Sequence, residues 1–495
     1  MKYNWGEWNL PEDERKIGEN FIYNVFLKLS GIIFELATYP YVARILLPEG
    51  MGRVTVVTSV VAYFVICVQL GIPTYGVRAC VQVRSDRKKL SRLVQELLCI
   101  ILIQNIIVYG AFFIFIKFVP HANQEKNLYL ILGLTVFLNS IGLEWLYHAV
   151  EDFRYISMCT MLFRIIAAVL ILIIVRTPGD VEKYAGLTVL AMSGANLFSF
   201  LHARKYMDLF PVQQLHLINH IKPVFIFFAL ACATTIYTNL DNVMLGAIAG
   251  NVQVGYYGSA VNVKKVLVSV VLAFGSVLLP RASYYFENHQ TEAFYELLDK
   301  SMRVIILSAV LLSGYFICFS KECILILSGK NFLDAVVPMQ VIMPTVLLIG
   351  ITNIIGIQIL IPTGREIVTF YSTLAGAAVD VLINALLIPS MGATGAAIGT
   401  LIAEGVVLVF QLAAVGGKVR KMLGAVEWPK YCLAMFAGIL GTAWTRRLPV
   451  HPFFILVISA VCYAGIAILC LYAMRDKTVR RIAETARHRI WKRQR

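Results

Sequence analysis

Apolar and polar residues follow one another along this chain in long blocks rather than in short periodic runs. About fourteen apolar stretches, most of them close to 20 residues long, are separated by short polar segments. A helix of about 20 apolar residues crosses a hydrocarbon layer about 30 Å thick. The pattern therefore predicts an all-α, polytopic membrane protein with about fourteen transmembrane helices. The expected spans are 20–42, 54–75, 93–118, 127–149, 156–175, 184–201, 223–248, 257–279, 301–319, 335–360, 367–388, 394–415, 430–445 and 452–474.

Composition and charge agree with this class and add an orientation. Of the 495 residues, 59% are hydrophobic and only 15% are charged, which is too few charges for the surface of a soluble protein. Of the 44 Lys and Arg residues, 30 flank the membrane side that holds both termini, and 10 flank the other side. The positive-inside rule therefore predicts that both termini are cytoplasmic. The net charge of +15 is explained by topology and membrane lipids, and no nucleic-acid partner is expected.

Cysteine and histidine patterns predict neither a metal site nor a cofactor. His216 and His220 are spaced i, i+4, but they lack an HExxH pattern and a third ligand nearby. The ten cysteines form no CxxC pair and are interpreted as small core residues. There is no GxxxxGK[ST] motif for direct use of ATP, and the loops are too short for a soluble catalytic domain. A non-enzymatic membrane protein is expected.

Ionised side chains interrupt several spans and are the candidate functional residues. A charge at the bilayer centre costs about 2.5–3.5 kcal/mol, so such residues usually face a polar interior or a pathway. The basic members are candidates for binding an anionic substrate: Lys28, Arg164, Lys264 and Lys265. The acidic members are candidates for ion coupling or gating: Glu35, Asp241, Asp380 and Glu404.

Structural roles compete with these functional interpretations. Lys28 and Glu35 share one face of the first span and could instead form a charge network that bundles helices. Arg164 has no acidic residue one turn away, and its rigid guanidinium suits phosphate, but snorkelling to the membrane surface is the alternative. Asp241 lies near an expected external turn, where a hydrated structural role is equally open. The unmatched cations favour an anionic over a cationic substrate.

A weak internal duplication is visible in the sequence. A shift of 203 residues superposes Val42 on Leu245, Gly52 on Gly255 and Arg78 on Arg281. Arg78 and Arg281 each follow a proline near a cytoplasmic span end and join the gating candidates. Internal repeats are common in transporters, where the substrate site lies between the repeats. Two six-span lobes are therefore expected at 1–210 and 211–416, followed by two spans and a basic cytoplasmic tail at 417–495.

Short motifs occur in a fixed order along almost the whole chain. They are LGIPTYGVR at 70–78, NLDNVMLG at 239–246, VGYY at 254–257, LPR at 279–281, IPTGRE at 361–366 and the set from Asn384 through Gly392 and Gly395 to Glu404. In this order and spacing the chain resembles the Wzx-type oligosaccharide flippases. These flippases belong to the multidrug/oligosaccharidyl-lipid/polysaccharide exporter superfamily.

The resemblance implies both an architecture and an activity. It implies two six-helix lobes around a central cavity, plus two C-terminal helices, working by alternating access. The implied substrate is a polyprenyl-diphosphate-linked oligosaccharide, flipped to the outer leaflet of a bacterial cytoplasmic membrane for surface polysaccharide biosynthesis. The basic candidates would meet the diphosphate. Coupling to a proton or sodium gradient through Asp241 or Glu35 is a separate hypothesis. Expected partners are membrane lipids, a polysaccharide polymerase and glycosyltransferases. The alternatives are a multidrug/cation antiporter of the same superfamily and a membrane polysaccharide polymerase or ligase.

Overall fold

A computed structural model of the chain describes residues 12–208, 215–276, 279–476 and 478–480. The side chain of Lys28 lies outside the described part, and so does the basic tail beyond residue 480. Helices make up 88% of the structure, and the described residues contain no strand. The all-α class expected from the sequence is confirmed.

The first eight helices lie before residue 208. They are α1 (Glu12–Gln69), α2 (Ile72–Val83), α3 (Arg87–Phe118), α4 (Pro120–Gln124), α5 (Lys126–Ile141), α6 (Glu144–Ala149), α7 (Phe153–Ile174) and α8 (Val181–His202). The helices that follow are α9 (Ile218–Ala249), α10 (Asn251–Ser276), α11 (Leu279–Glu287), α12 (Thr291–Cys318), α13 (Ser320–Leu327), α14 (Val336–Ile342), α15 (Thr345–Asn353), α16 (Glu366–Met391), α17 (Ala393–Ala414), α18 (Gly417–Gly424), α19 (Trp428–Thr442) and α20 (Pro452–Ala473). A π-helical segment, Ile354–Leu360, extends α15.

Ten of the described helices are long and apolar enough to cross a membrane, and one bent pair would make eleven. The first predicted span and the second as far as Gln69 lie in α1, where Leu47 (φ 61°, ψ 175°) marks a kink between them. Helix α19 has only 15 residues, and α10, which carries Lys264 and Lys265, is not among the ten. The expectation of fourteen spans therefore stays a prediction, while the multi-pass helical class holds.

The residues group into two compact units. The N-terminal unit is Met1–Leu46 with Val57–Thr235, and the C-terminal unit is Leu47–Val56 with Ile236–Arg495. The later boundary lies inside α9, whereas the sequence places the division of the lobes after residue 210. A short segment of α1 groups with the C-terminal unit because it packs against the turn between α9 and α10.

That packing depends on two reciprocal glycines of the C-terminal unit. A Cβ on Gly52 would lie 1.8 Å from the backbone oxygen of Asn251, and a Cβ on Gly255 would lie 2.1 Å from that of Pro48. The 203-residue shift relates Gly52 to Gly255 and Pro48 to Asn251. The contact of Gly52 with Asn251 and the contact of Gly255 with Pro48 are therefore equivalent under the shift. Such a pair of equivalent contacts is expected for a local two-fold arrangement. The 203-residue shift thus relates residues that are in contact, while the division into two six-span lobes stays a prediction.

The LGIP motif forms a break between two helices. Leu70 (φ 46°) and Gly71 (φ 75°) are both left-handed, and they separate α1 from α2. A Cβ on Gly71 would also lie 2.5 Å from the backbone nitrogen of Phe228, so the position needs glycine for space as well as for conformation. Pro73 sits in the first turn of α2, where its missing N–H costs no helical hydrogen bond.

The IPTGRE motif contributes an arginine that caps the C-terminus of α17. Arg365 Nη2 donates to the carbonyl of Ala414 at 2.9 Å. Arg420 Nε donates to the carbonyl of Leu412 at 2.8 Å, and its Nη2 to that of Ala413 at 2.8 Å. Two arginines thus satisfy the last carbonyls of α17, where cations also interact favourably with the helix dipole. Arg365 therefore has a structural role.

Candidate functional site

Four helices of the C-terminal unit bring the predicted acidic residues together. Asp241 of α9, Asp380 of α16 and Glu404 of α17 are 6%, 2% and 8% exposed. Lys264 of α10 interacts electrostatically with all three carboxylates. These four residues are named the carboxylate cluster. It unites three of the predicted coupling residues with one of the predicted substrate ligands.

Asp241 accepts hydrogen bonds from three helices. Asn384 Nδ2 of α16 donates to Asp241 Oδ1 at 2.7 Å, and Thr400 Oγ1 of α17 lies 3.0 Å from Oδ2. The hydroxyl of Tyr257 on α10 also donates to Oδ2. The position of this carboxylate is thus fixed from α10, α16 and α17 at once.

Two buried oxygens in the same place have no hydrogen-bond partner among the described residues. They are Asp380 Oδ1 and Asn384 Oδ1. A Cβ on Gly399 of α17 would lie 3.0 Å from the first and 2.2 Å from the second, so both oxygens lie against the same glycine. Asp380 is also within hydrogen-bonding reach of Asp241. Unpaired oxygen atoms beside a second carboxylate are suitable ligands for a proton or a hard cation.

The charges of the carboxylate cluster do not cancel. Three ionised carboxylates and one ammonium would leave two negative charges in a buried site. Glu404 gains only a neutral donor, the Tyr237 hydroxyl at 2.7 Å from its Oε1. A buried charge without compensation is strongly destabilising. The cluster therefore needs at least one proton or cation in addition to Lys264.

The sequence indicated the charged members of this cluster but not Tyr257 and Thr400, the hydroxyl residues that hydrogen-bond to Asp241. Tyr257 stands within the VGYY motif, but nothing in the motif indicates that its hydroxyl reaches Asp241. Thr400 precedes Glu404 by one helical turn, so the i, i+4 spacing on α17 was the available signal. Lys265, the neighbour of Lys264, is exposed, which fits the 100° rotation between adjacent helical residues.

Arg164 lies on α7 of the N-terminal unit and reaches α1. Its Nη1 donates to the carbonyl of Leu27 at 2.9 Å and to the hydroxyl of Ser30. The guanidinium also interacts electrostatically with Glu144 and, less strongly, with Glu35. The two carboxylates come from other helices, which explains why spacing along α7 alone indicated none. Glu35 itself is exposed.

A polar cavity of about 260 Å³ lies beside Glu144 in the same unit. Besides Glu144, the side chains that matter for its chemistry are Gln69, Asn139, Asn196, Trp145 and His148, and the set is named the amide pocket. The pocket sits where two spans are interrupted, at Leu70–Gly71 between α1 and α2 and after Ile141 between α5 and α6. Interrupted helices mark substrate sites in many transporters because they expose polar backbone and side-chain groups.

Two glycines shape the amide pocket. A Cβ on Gly142 would lie 2.7 Å from Cγ of Asn196, and a Cβ on Gly76 would lie 2.6 Å from the ring of Trp145. Asn196 Nδ2 in turn donates to Asn139 Oδ1 at 2.9 Å. The amides and the indole therefore pack against backbone that only glycine leaves open.

The remaining predicted residues lie apart from both sites. Arg78 and Arg281 are exposed, the first on α2 and the second on α11. Neither lines the amide pocket, and neither belongs to the carboxylate cluster. Their role in gating stays a prediction, as does the role of Lys28.

The histidine pair of the sequence is part of a buried hydrogen-bond network. His220 Nε2 lies 2.8 Å from Glu96 Oε2, and its Nδ1 lies 2.7 Å from the Tyr75 hydroxyl. The backbone N–H of His216 donates to Glu96 Oε1 at 2.8 Å. Both ring nitrogens of His220 are therefore engaged, and the network ties the start of α9 to α2 and α3.

Comparison with known proteins indicates the kind of transporter that this geometry serves. A family described as polysaccharide biosynthesis protein matches residues 17–286. The "Putative O-antigen transporter" of Shigella dysenteriae is 22% identical over 391 residues, which cover 78% of this chain and 96% of that protein.

Two solved structures share the fold. The lipid II flippase MurJ in its inward closed conformation has a TM-score of 0.72 at 12% identity, covering 92% of this chain and 99% of that one. A multidrug resistance MATE family transporter of the MOP superfamily, in an inward-facing conformation, has a TM-score of 0.63 at 13% identity. That match covers 82% of this chain and 98% of the transporter.

Proposed function

Because the chain belongs to the polysaccharide biosynthesis protein family, we propose that it is a flippase for lipid-linked oligosaccharides. It moves polyprenyl-diphosphate-linked repeat units from the cytoplasmic to the outer leaflet of a bacterial cytoplasmic membrane, by alternating access. It is a transporter and not an enzyme. Similarity over 96% of the length of the "Putative O-antigen transporter" of Shigella dysenteriae is the observation that carries this proposal.

Orientation and partners follow from the loop charges and from the substrate. Both termini face the cytoplasm, where 30 of the 44 basic residues lie. Glycosyltransferases that build the repeat unit act on that side, and a polymerase that consumes it acts on the other. The protein stands between these two reactions.

We assign recognition of the polar substrate head to the N-terminal unit. Amide groups donate and accept hydrogen bonds at once, which suits sugar hydroxyls, and an indole offers an apolar face for a sugar ring. Arg164 supplies a rigid fork of donors that matches phosphate oxygens. Lys264 is a poorer diphosphate ligand than its position suggested, because three carboxylates already compensate its charge.

We assign ion coupling to the carboxylate cluster. Binding of a proton or sodium ion at Asp241 and Asp380 lowers the uncompensated negative charge, so the ion binds preferentially to the conformation in which these groups are closest. A ligand that prefers one conformation shifts the population toward it. An electrochemical gradient can thereby drive the alternation between the inward-open and the outward-open state.

The flippase function is tested by deletion and reconstitution. A deletion strain should accumulate lipid-linked repeat units on the cytoplasmic face, and the purified full-length protein in proteoliposomes should flip the same extracted lipid. Unchanged lipid-linked intermediates after deletion, together with increased sensitivity to cationic drugs, would instead support the antiporter.

Ion coupling is tested in the same proteoliposomes with sodium and proton gradients imposed separately. Asp241→Asn and Asp380→Asn should each lower gradient-driven flipping at least tenfold, because each removes a carboxylate that holds the ion. Glu366→Gln, at the exposed start of α16, is the matched control and should flip normally. Gradient-driven flipping that survives both cluster variants would disprove the coupling role and leave the flippase function intact.

A further inference from the structure

A second cavity, of about 700 Å³, opens on the N-terminal unit beside the start of α7 and the end of α8. Its apolar wall is formed by α7, where Met158, Leu162 and Ile165 are 56%, 55% and 59% exposed. Its polar end carries Arg154 of α7, His202 at the end of α8 and Lys205 in the 3₁₀ turn that follows α8. These six residues are named the basic groove. Its polar end lies on the side that the loop charges assign to the cytoplasm.

Arg154 and Lys205 of the basic groove differ from Arg84 and Arg87 in having no carboxylate partner among the described residues. Arg84 is paired with Glu151 at 2.6 Å, and Arg87 is paired with Asp208 at 3.0 Å. Within the part of the chain that the structure describes, no carboxylate oxygen lies within 4 Å of Arg154 or Lys205. The Lys205 ammonium instead lies 5.2 Å from the centre of the Tyr206 ring. Two positive charges are therefore available at this end.

One acidic residue, Asp152, lines the same groove, and it is engaged by other groups. It accepts hydrogen bonds from the Tyr206 hydroxyl and from the backbone N–H of Tyr155 at 3.3 Å. Burial, together with the Asp152 carboxylate, raises the pKa of Tyr206, so the hydroxyl keeps its proton and remains a donor. The ring of Tyr155 stacks on His202 at 3.7 Å. This contact fixes the floor of the polar end.

We propose that the basic groove binds an anionic phospholipid of the cytoplasmic leaflet. The lipid phosphate lies between Arg154 and Lys205, and an acyl chain follows the exposed apolar face of α7. Basic pockets between transmembrane helices on the cytoplasmic side recognise such headgroups, and each buried methylene of the chain adds to the affinity. The basic end of the groove thus matches the phosphate headgroup of a phospholipid, and the adjoining apolar wall matches its acyl chain.

The same helix separates this lipid from the proposed substrate. Arg164 of α7 reaches α1 through Leu27 and Ser30, whereas Met158, Leu162 and Ile165 are exposed on another face. A diphosphate bound at Arg164 would not occupy the basic groove. Lipid binding there is consequently independent of which substrate the protein transports.

The test uses native mass spectrometry of the purified full-length protein with added cardiolipin or phosphatidylcholine. Cardiolipin should remain bound under conditions that remove phosphatidylcholine. Arg154→Gln and Lys205→Gln should each weaken cardiolipin binding about fivefold, and the double variant about 25-fold, as expected for one basic side chain each near an anionic headgroup. Arg84→Gln removes a paired cation from the same end and should change cardiolipin binding less than twofold. Thermal melting in detergent checks that each variant is folded.

Three outcomes overturn the proposal. The double variant binds cardiolipin as tightly as the wild type, or phosphatidylcholine binds as tightly as cardiolipin, or a polyprenyl diphosphate displaces cardiolipin and shows the same dependence on Arg154 and Lys205. In the last case the groove belongs to the lipid carrier of the substrate. A phosphatidylglycerol with a photoreactive acyl chain should label the peptide that contains Met158 and Leu162, and labelling confined to other helices contradicts the assignment.

Discussion

The carboxylate cluster of the C-terminal unit is closed and charged, whereas the amide pocket of the N-terminal unit is open and mostly neutral. In the cluster, Asp241, Asp380 and Glu404 are 6%, 2% and 8% exposed. In the pocket, the Glu144 side chain is 59% exposed beside a cavity of about 260 Å³. A closed, charged site suits a small ion that sheds its water, and an open site of amides suits a larger ligand with many hydroxyls.

The two sites also differ in how they tolerate change. In the cluster, Asp241 accepts hydrogen bonds from three helices, and the neighbouring Asn384 lies against the backbone of Gly399. In the pocket, side chains border empty volume into which they can rotate. Matched substitutions in the two sites should therefore have unequal effects.

Gly399→Ala should have the largest effect of all. The new methyl would lie 2.2 Å from Asn384 Oδ1 and 3.0 Å from Asp380 Oδ1, and these two residues are 0% and 2% exposed. We expect a loss of about 1–3 kcal/mol of stability, as for overpacking in other cores, and loss of gradient-driven flipping. Gly405→Ala, on the same helix with nothing within 4 Å, is the control for thermal melting and flipping.

Gly142→Ala is the corresponding substitution in the amide pocket. It should reduce stability and flipping less than Gly399→Ala does. Its methyl would lie 2.7 Å from Cγ of Asn196, whose amide group can turn into the cavity. We expect flipping to weaken but ion dependence to stay the same. If Gly142→Ala were as damaging as Gly399→Ala, the pocket would not be the open site described.

Lys264→Met should have the next largest effect. It should change the ion dependence of flipping rather than the substrate dependence. Without the ammonium, three buried carboxylates remain with no basic partner among them, and they should hold a proton or sodium ion more tightly. At an effective dielectric constant of 20, one charge a few ångströms away changes ion affinity about tenfold or more. Half-maximal flipping should move to about tenfold lower ion concentration and turnover should slow. Lys265→Met, the exposed neighbour, should leave both unchanged.

Part of this arrangement could be read from the sequence. The apolar stretches predicted the helical membrane class. The ionised residues inside those stretches included the acidic members of the carboxylate cluster. Asp380 and Asn384, one turn apart on α16, both face Asp241. The shift that superposes Gly52 on Gly255 also corresponds to a physical contact, since the two glycines share one packing site.

The rest depends on contacts that no single helix encodes. Arg164 meets Glu144 and Glu35 only because other helices carry those carboxylates to it. No proline marks the helix break after α5 in the sequence. From the sequence alone, Asn139 and Asn196 are therefore indistinguishable from other polar residues within spans. Spacing along one helix defines a face, but the identity of the residues opposite that face is a property of tertiary packing.

Asn196→Ala should have the smallest effect and separates the two sites most cleanly. It removes the donor to Asn139 at 2.9 Å and one amide from the pocket wall, and it leaves a larger cavity in a region that is already open. A hydrogen bond between helices in a membrane contributes about 0.6 kcal/mol on average and up to about 1.7. We therefore expect a threefold to tenfold higher lipid-linked oligosaccharide concentration for half-maximal flipping in proteoliposomes. Ion dependence should match that of the wild type, because the carboxylate cluster is untouched. Thr188→Val on the same helix, which removes only a bond to the Tyr184 carbonyl one turn away, should change neither quantity. A shift in ion dependence without a change in substrate concentration would reverse the assignment of the two sites.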